Sequence, residues 1–241
     1  MICLTYDTDY MTPEGMRQFF DTVPFPGQGT FFLWKPFPAT AWHGHEIQPH
    51  PYVADLTRFG SDLQAFSASL ELPHAPQGVR THSCVYSHMV GIELYKQGYR
   101  YASMTSPLYE LGLRPYRHPW GIWEMPIYYM DNMDFCTPGN WPELAHKPFS
   151  TEIFERALDN EGLYVFDFHP LHIALNTTSY EAYQDVKAAI GRGEDPFSLR
   201  MPGRGVATYF NELCEAMDKR GVKSVTLSQA LDHHLQGKQG A

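Results

Sequence analysis

Apolar residues fall in two alternating rhythms along this chain. Short runs of β-branched and aromatic residues read as strands at Ile2 to Tyr6, Thr30 to Trp34, Trp42 to Ile47, Gly78 to Thr81, Arg100 to Met104, Gly121 to Ile127, Leu163 to Phe168 and Ser224 to Leu227. Between them the spacing turns helical. Thr12-Pro13-Glu14 combines an N-cap, a first-turn proline and an acid, with Met16, Phe19 and Phe20 behind it on one face. Ser61 to Leu70 sets Leu63, Phe66 and Leu70 on one side. Val85 to Gln97 sets out Val85, Met89, Ile92 and Tyr95 at three- and four-residue steps and stops at Gly98. Arg204 to Arg220 carries the stripe Val206, Phe210, Leu213 and Met217 and ends at Gly221. The proline- and glycine-bearing stretches Asp131 to Phe149 and Gly191 to Gly203 read as long loops.

Strands alternating with helices predict an α/β fold, a distorted (β/α) barrel with about seven to eight parallel strands spanning residues 1–241 as one domain. A doubly wound open sheet is the structural alternative. Either architecture puts working groups at the carboxyl ends of strands.

Composition narrows the partners. Eighteen Lys and Arg against 27 Asp and Glu give a net charge of -9, and no basic stripe follows a phosphate backbone, so nucleic acid is not expected. The start Ile2-Cys3-Leu4-Thr5-Tyr6 reads as a strand rather than a secretion signal. No apolar run approaches the roughly 20 residues of a membrane span. Cys3, Cys84, Cys136 and Cys214 are widely separated and form no C-x-x-C pair. Free thiols in a reducing, cytoplasmic setting are the expectation.

Twelve histidines gather near Asp, Gly and Pro at strand ends, which points to a site. Period-2 alternation sends Asp7 and Asp9 to the same side after the first strand, where two carboxylates call for a cation or an arginine. The run His43-Gly44-His45-Glu46-Ile47-Gln48-Pro49-His50 mixes imidazole and carboxylate in the manner that suits zinc. Arg80 and His82 share a side of the fourth strand. The guanidinium there either holds a neighbouring Asp ionised and oriented as a base or makes a structural salt bridge across the barrel top, and the two are not exclusive. Asp167 and His169 share a side of the otherwise apolar run Tyr164 to Phe168, and a polar pair in such a place needs partners. His169 suits a general acid, with Asp167 as its orienting group or as a partner of Arg80. His172, Asn176 and Thr177 either line a ligand pocket or cap the next loop. No P-loop, G-x-S-x-G elbow or complete dinucleotide fingerprint is present.

Taken in order, these segments resemble the polysaccharide deacetylases, the NodB-homology or carbohydrate esterase family 4 group. Leu4-Thr5-Tyr6-Asp7-Thr8-Asp9 resembles the family's D-x-D motif, Gly29-Thr30-Phe31-Phe32 its A-T-F-F, and Gly44-His45-Glu46-Ile47 through His50 its H-E-I-x-x-H. Gly78-Val79-Arg80 resembles its arginine motif and Phe168-His169 its late histidine motif, so the matches run from residue 2 to residue 170. The resemblance implies Asp7 as base, Arg80 as its brace, His169 as acid, and Asp9 and His50 as ligands of a divalent metal, Zn²⁺ first among candidates. The family's second histidine position holds Ala54, which leaves His82 as the replacement ligand and Asp55 or water behind it. The D-W motif is absent, and Asp131, Asp134 or Asp167 stands in for it.

The implied substrate is an N-acylated amino sugar, nucleotide-linked, lipid-linked or polymeric, in cell-surface polysaccharide biosynthesis. The implied reaction removes an acetyl or formyl group. His172, Asn176, Asp131 and Asp167 are the candidate substrate contacts, and Trp34, Trp42, Tyr86, Trp120 and Trp123 the candidate sugar-stacking rings. A non-catalytic sugar- or metal-binding relative and an amidohydrolase of small amides are the alternative readings.

Overall fold

The computed structural model describes residues 1–38, 42, 44–140 and 146–239. Its strands are β1 (Ile2–Asp7), β2 (Gly29–Leu33), β3 (Glu46–Pro49), β4 (Gly78–Val79), β5 (Tyr101–Ala102), β6 (Tyr116–Arg117), β7 (Trp123–Glu124), β8 (Ile127–Met130) and β9 (Tyr164–Phe168). Its helices are α1 (Pro13–Thr22), α2 (Phe59–Ser69), α3 (His88–Lys96), α4 (Asp131–Asn140), α5 (Thr151–Asp159), α6 (Pro170–Leu175), α7 (Tyr180–Gly191), α8 (Val206–Lys219) and α9 (Leu227–Gln239).

The main sheet has five parallel strands in the order β3-β2-β1-β9-β8, and a second sheet has the order β4-β5-β7-β6, with β6 antiparallel. The expected barrel of seven to eight parallel strands is therefore corrected to two sheets that do not close. Two local causes are visible. β4 is only two residues long, and the chain beyond it touches the end of β3 through Arg80 N–H to Pro49 O at 3.3 Å and His82 N–H to Pro51 O at 2.9 Å. Between β7 and β8 stands Pro126, which has no N–H to give a ladder; Ile127 N–H beyond it still reaches Thr105 O at 2.8 Å, and β8 then pairs with β9.

β1 and β9 lie side by side at the centre, and every residue in both is buried. Strands covered on both faces read as continuous apolar runs, which is why alternation is weak in them. Around them, α1 begins as expected, with Thr12 Oγ1 accepting the Gly15 N–H at 3.0 Å and proline at the first turn. α8 buries the expected stripe Val206, Phe210, Leu213 and Met217.

Other expectations are corrected. The strand expected at Trp42 to Ile47 lies later, at Glu46–Pro49, and His43 falls outside the described residues. Ser224 makes one bridge to Gly27, and the chain then enters α9 instead of a strand. The stretch after Asp131 is helical to Asn140, because Asp131 and Asp134 favour a helix's first turn. α5 and α7 arise where no helix was expected.

α3 presents the opposite face from the one expected. Val90, Gly91 and Leu94 are buried, whereas Val85, Met89, Ile92 and Tyr95 are exposed. Gly91 decides this: a Cβ there would stand 2.0 Å from Trp120 Nε1, so only a glycine-bearing face approaches Trp120 and Tyr86 this closely. No described helix is long and apolar enough to cross a membrane. All four cysteines are free.

Candidate active site

Five strand ends deliver five ionisable groups to one place. Asp7 ends β1, His50 follows β3, Arg80 follows β4, Asp131 follows β8 and His169 follows β9. A cleft of about 630 Å³ opens there, lined by Asp7, His50, His82 and His169 together with residues that include Leu108 and Tyr109.

Arg80 is the buried hub. One guanidinium nitrogen donates to Asp7 Oδ1 and to Thr5 Oγ1, both at 3.0 Å, and more closely to Asp167 Oδ1. Nε donates to Ser103 O at 2.9 Å, the remaining nitrogen donates to Ser103 Oγ at 2.8 Å, and the Phe32 ring lies 4.4 Å beneath. Burial works against the guanidinium charge, but Asp167 and Asp7 outweigh it and hold the group above its ordinary value. Burial also pushes Asp167 up to about 7, even beside Arg80. Two carboxylates thus share one buried cation.

Asp9, His50 and His82 form a second cluster, with one donor atom from each within 4.8 Å of the others. His50 Nε2 stands 3.0 Å from Asp9 Oδ2 and 3.7 Å from Asp7 Oδ2. His50 Nδ1 donates to the Arg80 carbonyl at 2.8 Å, and since a carbonyl only accepts, Nε2 is the nitrogen turned to the carboxylates. Asp9 Oδ2 is buried without a hydrogen-bond partner despite that short distance. His82 Nδ1 lies 3.0 Å from Asp9 Oδ1. Burial alone would raise Asp9, yet His50 and His82 hold it well below the usual carboxylate range. Burial likewise opposes a charge on His50, and Asp7 and Asp9 overcome it and raise the group. The cluster draws positive charge to itself, and an orphaned carboxylate oxygen beside an imidazole with its far nitrogen tethered suits a divalent ion.

His169 faces this pair with its own carboxylate. Its Nδ1 donates to Asp131 Oδ1 and its backbone N–H to Asp131 Oδ2, each at 2.7 Å. Burial disfavours the imidazolium, but Asp131 prevails and raises His169 to about 10. Asp131 and not Asp167 is thus the orienting group of His169.

Not every candidate reaches the cleft. Asp167 and Asp131 are fully buried within the pairs just described, so neither is exposed as a substrate contact. His172 shares a 2.9 Å hydrogen bond with Thr177 Oγ1, and burial lowers it to about 4. Asp134 is taken up by His146, Tyr109, Tyr129 and the Phe149 N–H. Asp55 is exposed and bound to Thr57. His45 accepts the Gly29 N–H, and Glu46 meets Thr30, Tyr101 and Ser228; both serve the framework at the start of β3, while His50 at its far end reaches the site. Trp34, Trp42, Tyr86, Trp120 and Trp123 do not line the cleft, whereas Tyr109 does.

Asn176 is corrected from ligand contact to scaffold. It closes α6 in the left-handed region at φ 49°, its Nδ2 donates to Met201 O and Gly203 O, and its Oδ1 accepts from Ala207 N and Thr208 N at the start of α8. Asn176→Ala is expected to cost on the order of 2 kcal/mol in a urea titration while leaving KM unchanged. A raised KM at unaltered stability would return Asn176 to the substrate.

Residues not anticipated are Thr5 and Ser103 around Arg80, and Leu108 and Tyr109 in the cleft. Thr5 was within reach of the sequence, two positions before Asp7 on the same face of β1. Ser103 was not, because its role depends on which strand follows β4 in the sheet.

The family is defined by the model that this chain matches over residues 4–187, the WbmS-like polysaccharide deacetylase. The chain is a member of the polysaccharide deacetylase family. Within it the likeness is to WbmS. A candidate polysaccharide deacetylase involved in O-antigen biosynthesis, WbmS of Bordetella bronchiseptica, is 21% identical, with a TM-score of 0.68 over 89% of this chain and 90% of that one. A candidate polysaccharide deacetylase of Mycobacterium smegmatis is 20% identical, with a TM-score of 0.55 over 98% of this chain and 90% of that one. Both share the fold. No match was found among curated protein sequences.

Proposed function

We propose that this protein is a metal-dependent hydrolase that removes an N-acyl group, acetyl or formyl, from an amino sugar in the assembly of a cell-surface polysaccharide. The observation that carries the reading is one cleft lined by Asp7, braced by Arg80, by His169, held by Asp131, and by His50 and His82 of the Asp9 cluster. The involvement of the similar WbmS protein in O-antigen biosynthesis suggests the pathway.

Asp9, His50 and His82 would hold the metal, with Zn²⁺ favoured by two imidazoles and a carboxylate. When bound, such an ion polarises a carbonyl and lowers the pKa of water. Asp7 accepts the proton of the attacking water, and Arg80 fixes the carboxylate oxygen it contacts, leaving the other directed at the cleft. Water oxygen adds to the acyl carbon, the carbon–nitrogen bond breaks, and His169 gives its proton to the departing amine. Asp131 keeps His169 protonated and pointed during that step. The products are a carboxylic acid and a free amino sugar.

The test begins with metal. Purified protein loaded with Zn²⁺ and gel-filtered is expected to retain about one ion per chain by mass spectrometry, and His50→Ala to lose it. The loaded protein is then offered N-acetylated and N-formylated amino sugars beside small non-sugar amides. A wild-type protein that keeps no zinc, or that turns over only the small amides, would remove the proposal.

A further inference from the structure

The three side chains of the metal cluster are not equally held. Asp9 and His50 are almost fully buried, with 5% and 1% of their side chains exposed, but His82 shows 29%. His82 also stands at the head of a short turn in which Ser83 and Cys84 adopt φ of 58° and 51°. Neither residue is glycine, so the turn is strained and is a poor anchor for an imidazole on its own.

One neighbouring segment compensates. The Pro51 carbonyl accepts the His82 N–H at 2.9 Å, and the next residue, Tyr52, lays its ring on the His82 imidazole at 4.0 Å between centroids and 22° between planes. Tyr52 remains half-exposed, so its ring is not there to fill the core. It is absent from the lining of the cleft, and its hydroxyl lies beside Tyr10 and Asp9, the carboxylate that His82 also meets.

We infer that Tyr52 is a positioning residue: by stacking on His82 it fixes that imidazole toward Asp9, so that Asp9, His50 and His82 stay within reach of a single ion. The inference rests on the metal-centre reading above. It makes His50-Pro51-Tyr52 one unit, which contributes a ligand at its first residue and aims another ligand from its third. The stack on His82 needs only the ring, and the hydroxyl contact with Asp9 is the separate interaction that Tyr52→Phe removes.

The experiment is a competition titration of Zn²⁺ against a chromophoric chelator, on the full chain and without substrate. Tyr52→Phe is expected to bind zinc within a factor of about three of wild type, and Tyr52→Ala to bind it about 10- to 100-fold more weakly, the range for losing a group that orients a ligand. Tyr52→Ala added to His82→Ala is expected to weaken binding no further than His82→Ala alone, because the effect acts through that ring. Thermal melts of the metal-free variants accompany the titration, and Tyr52→Leu keeps the bulk without the stack, so it is expected to follow Tyr52→Ala. Zinc binding by Tyr52→Ala or Tyr52→Leu that equals wild type overturns the inference. So does a Tyr52→Ala effect that persists in full on the His82→Ala background. If wild type itself binds no zinc, the metal-centre reading falls first and takes this one with it.

Discussion

Arg80→Met is expected to lower the stability of this protein by about 3 to 5 kcal/mol, the cost of removing one partner from a buried ion pair. The guanidinium has no exposed surface and serves Thr5, Asp7, Ser103 and Asp167 at once. Its loss leaves Asp167 buried without a counter-charge. Lysine would not repair this, since one ammonium cannot reproduce a planar fork that reaches four residues. The deficit has a pH signature. Burial already raises Asp167 to about 7, and removing Arg80 raises it further, so at pH 5 the carboxyl is protonated and needs no cation. The variant is therefore expected to lose less at pH 5 than at pH 8. Combining it with Asp167→Leu is expected to recover part of the loss, because the orphaned charge goes with its partner. Urea titrations at the two pH values decide it, and a deficit below about 1 kcal/mol at pH 8 would show that Arg80 is not the hub its contacts describe.

Asp7→Asn is expected to reduce kcat/KM by about 100- to 10,000-fold with zinc still bound, the range for a lost general base. The amide has the shape of the carboxylate, and its oxygen still accepts from Arg80, so the cleft keeps its form. What disappears is the proton acceptor. Zinc content and turnover measured on one preparation separate this from loss of the metal, which is the expected outcome for His50→Ala. A drop of less than about tenfold would pass the role of base to another group.

Much of this site follows from short-range rules, and the rest depends on pairing across the chain. Asp7 with Asp9 is readable from the period of a strand, and His50, Arg80 and His169 from polar groups at the ends of apolar runs. The choice of Asp131 over Asp167 as partner of His169 is not readable that way. It depends on β8 lying next to β9, a contact between segments far apart in sequence. The second sheet escapes for a similar reason. A proline in the strand pattern marks an interruption, but only the structure shows that β7 before Pro126 pairs with β5 and β8 after it pairs with β9. On α3 apolar residues occupy both faces, and a hydrophobic stripe cannot tell which side meets a tryptophan when the deciding residue is a glycine. Histidine density proved a coarse guide, since His45 props the framework while His50 reaches the cleft.

The alignment of β1 with β9 sets Thr5 directly opposite Asp167, and the hydroxyl donates to that carboxylate at 2.9 Å. Sliding β9 by a single residue would bring Phe166 or Phe168 to that place and turn Asp167 to the far face of the sheet. Arg80 would then be sealed in the interior with half of its countercharge missing. Two neighbouring central strands with such apolar sequences would otherwise have little to choose between alternative alignments. The ion cluster acts as a keyed joint that rejects the wrong ones, and a molecule that folds out of step forfeits chemistry and stability together.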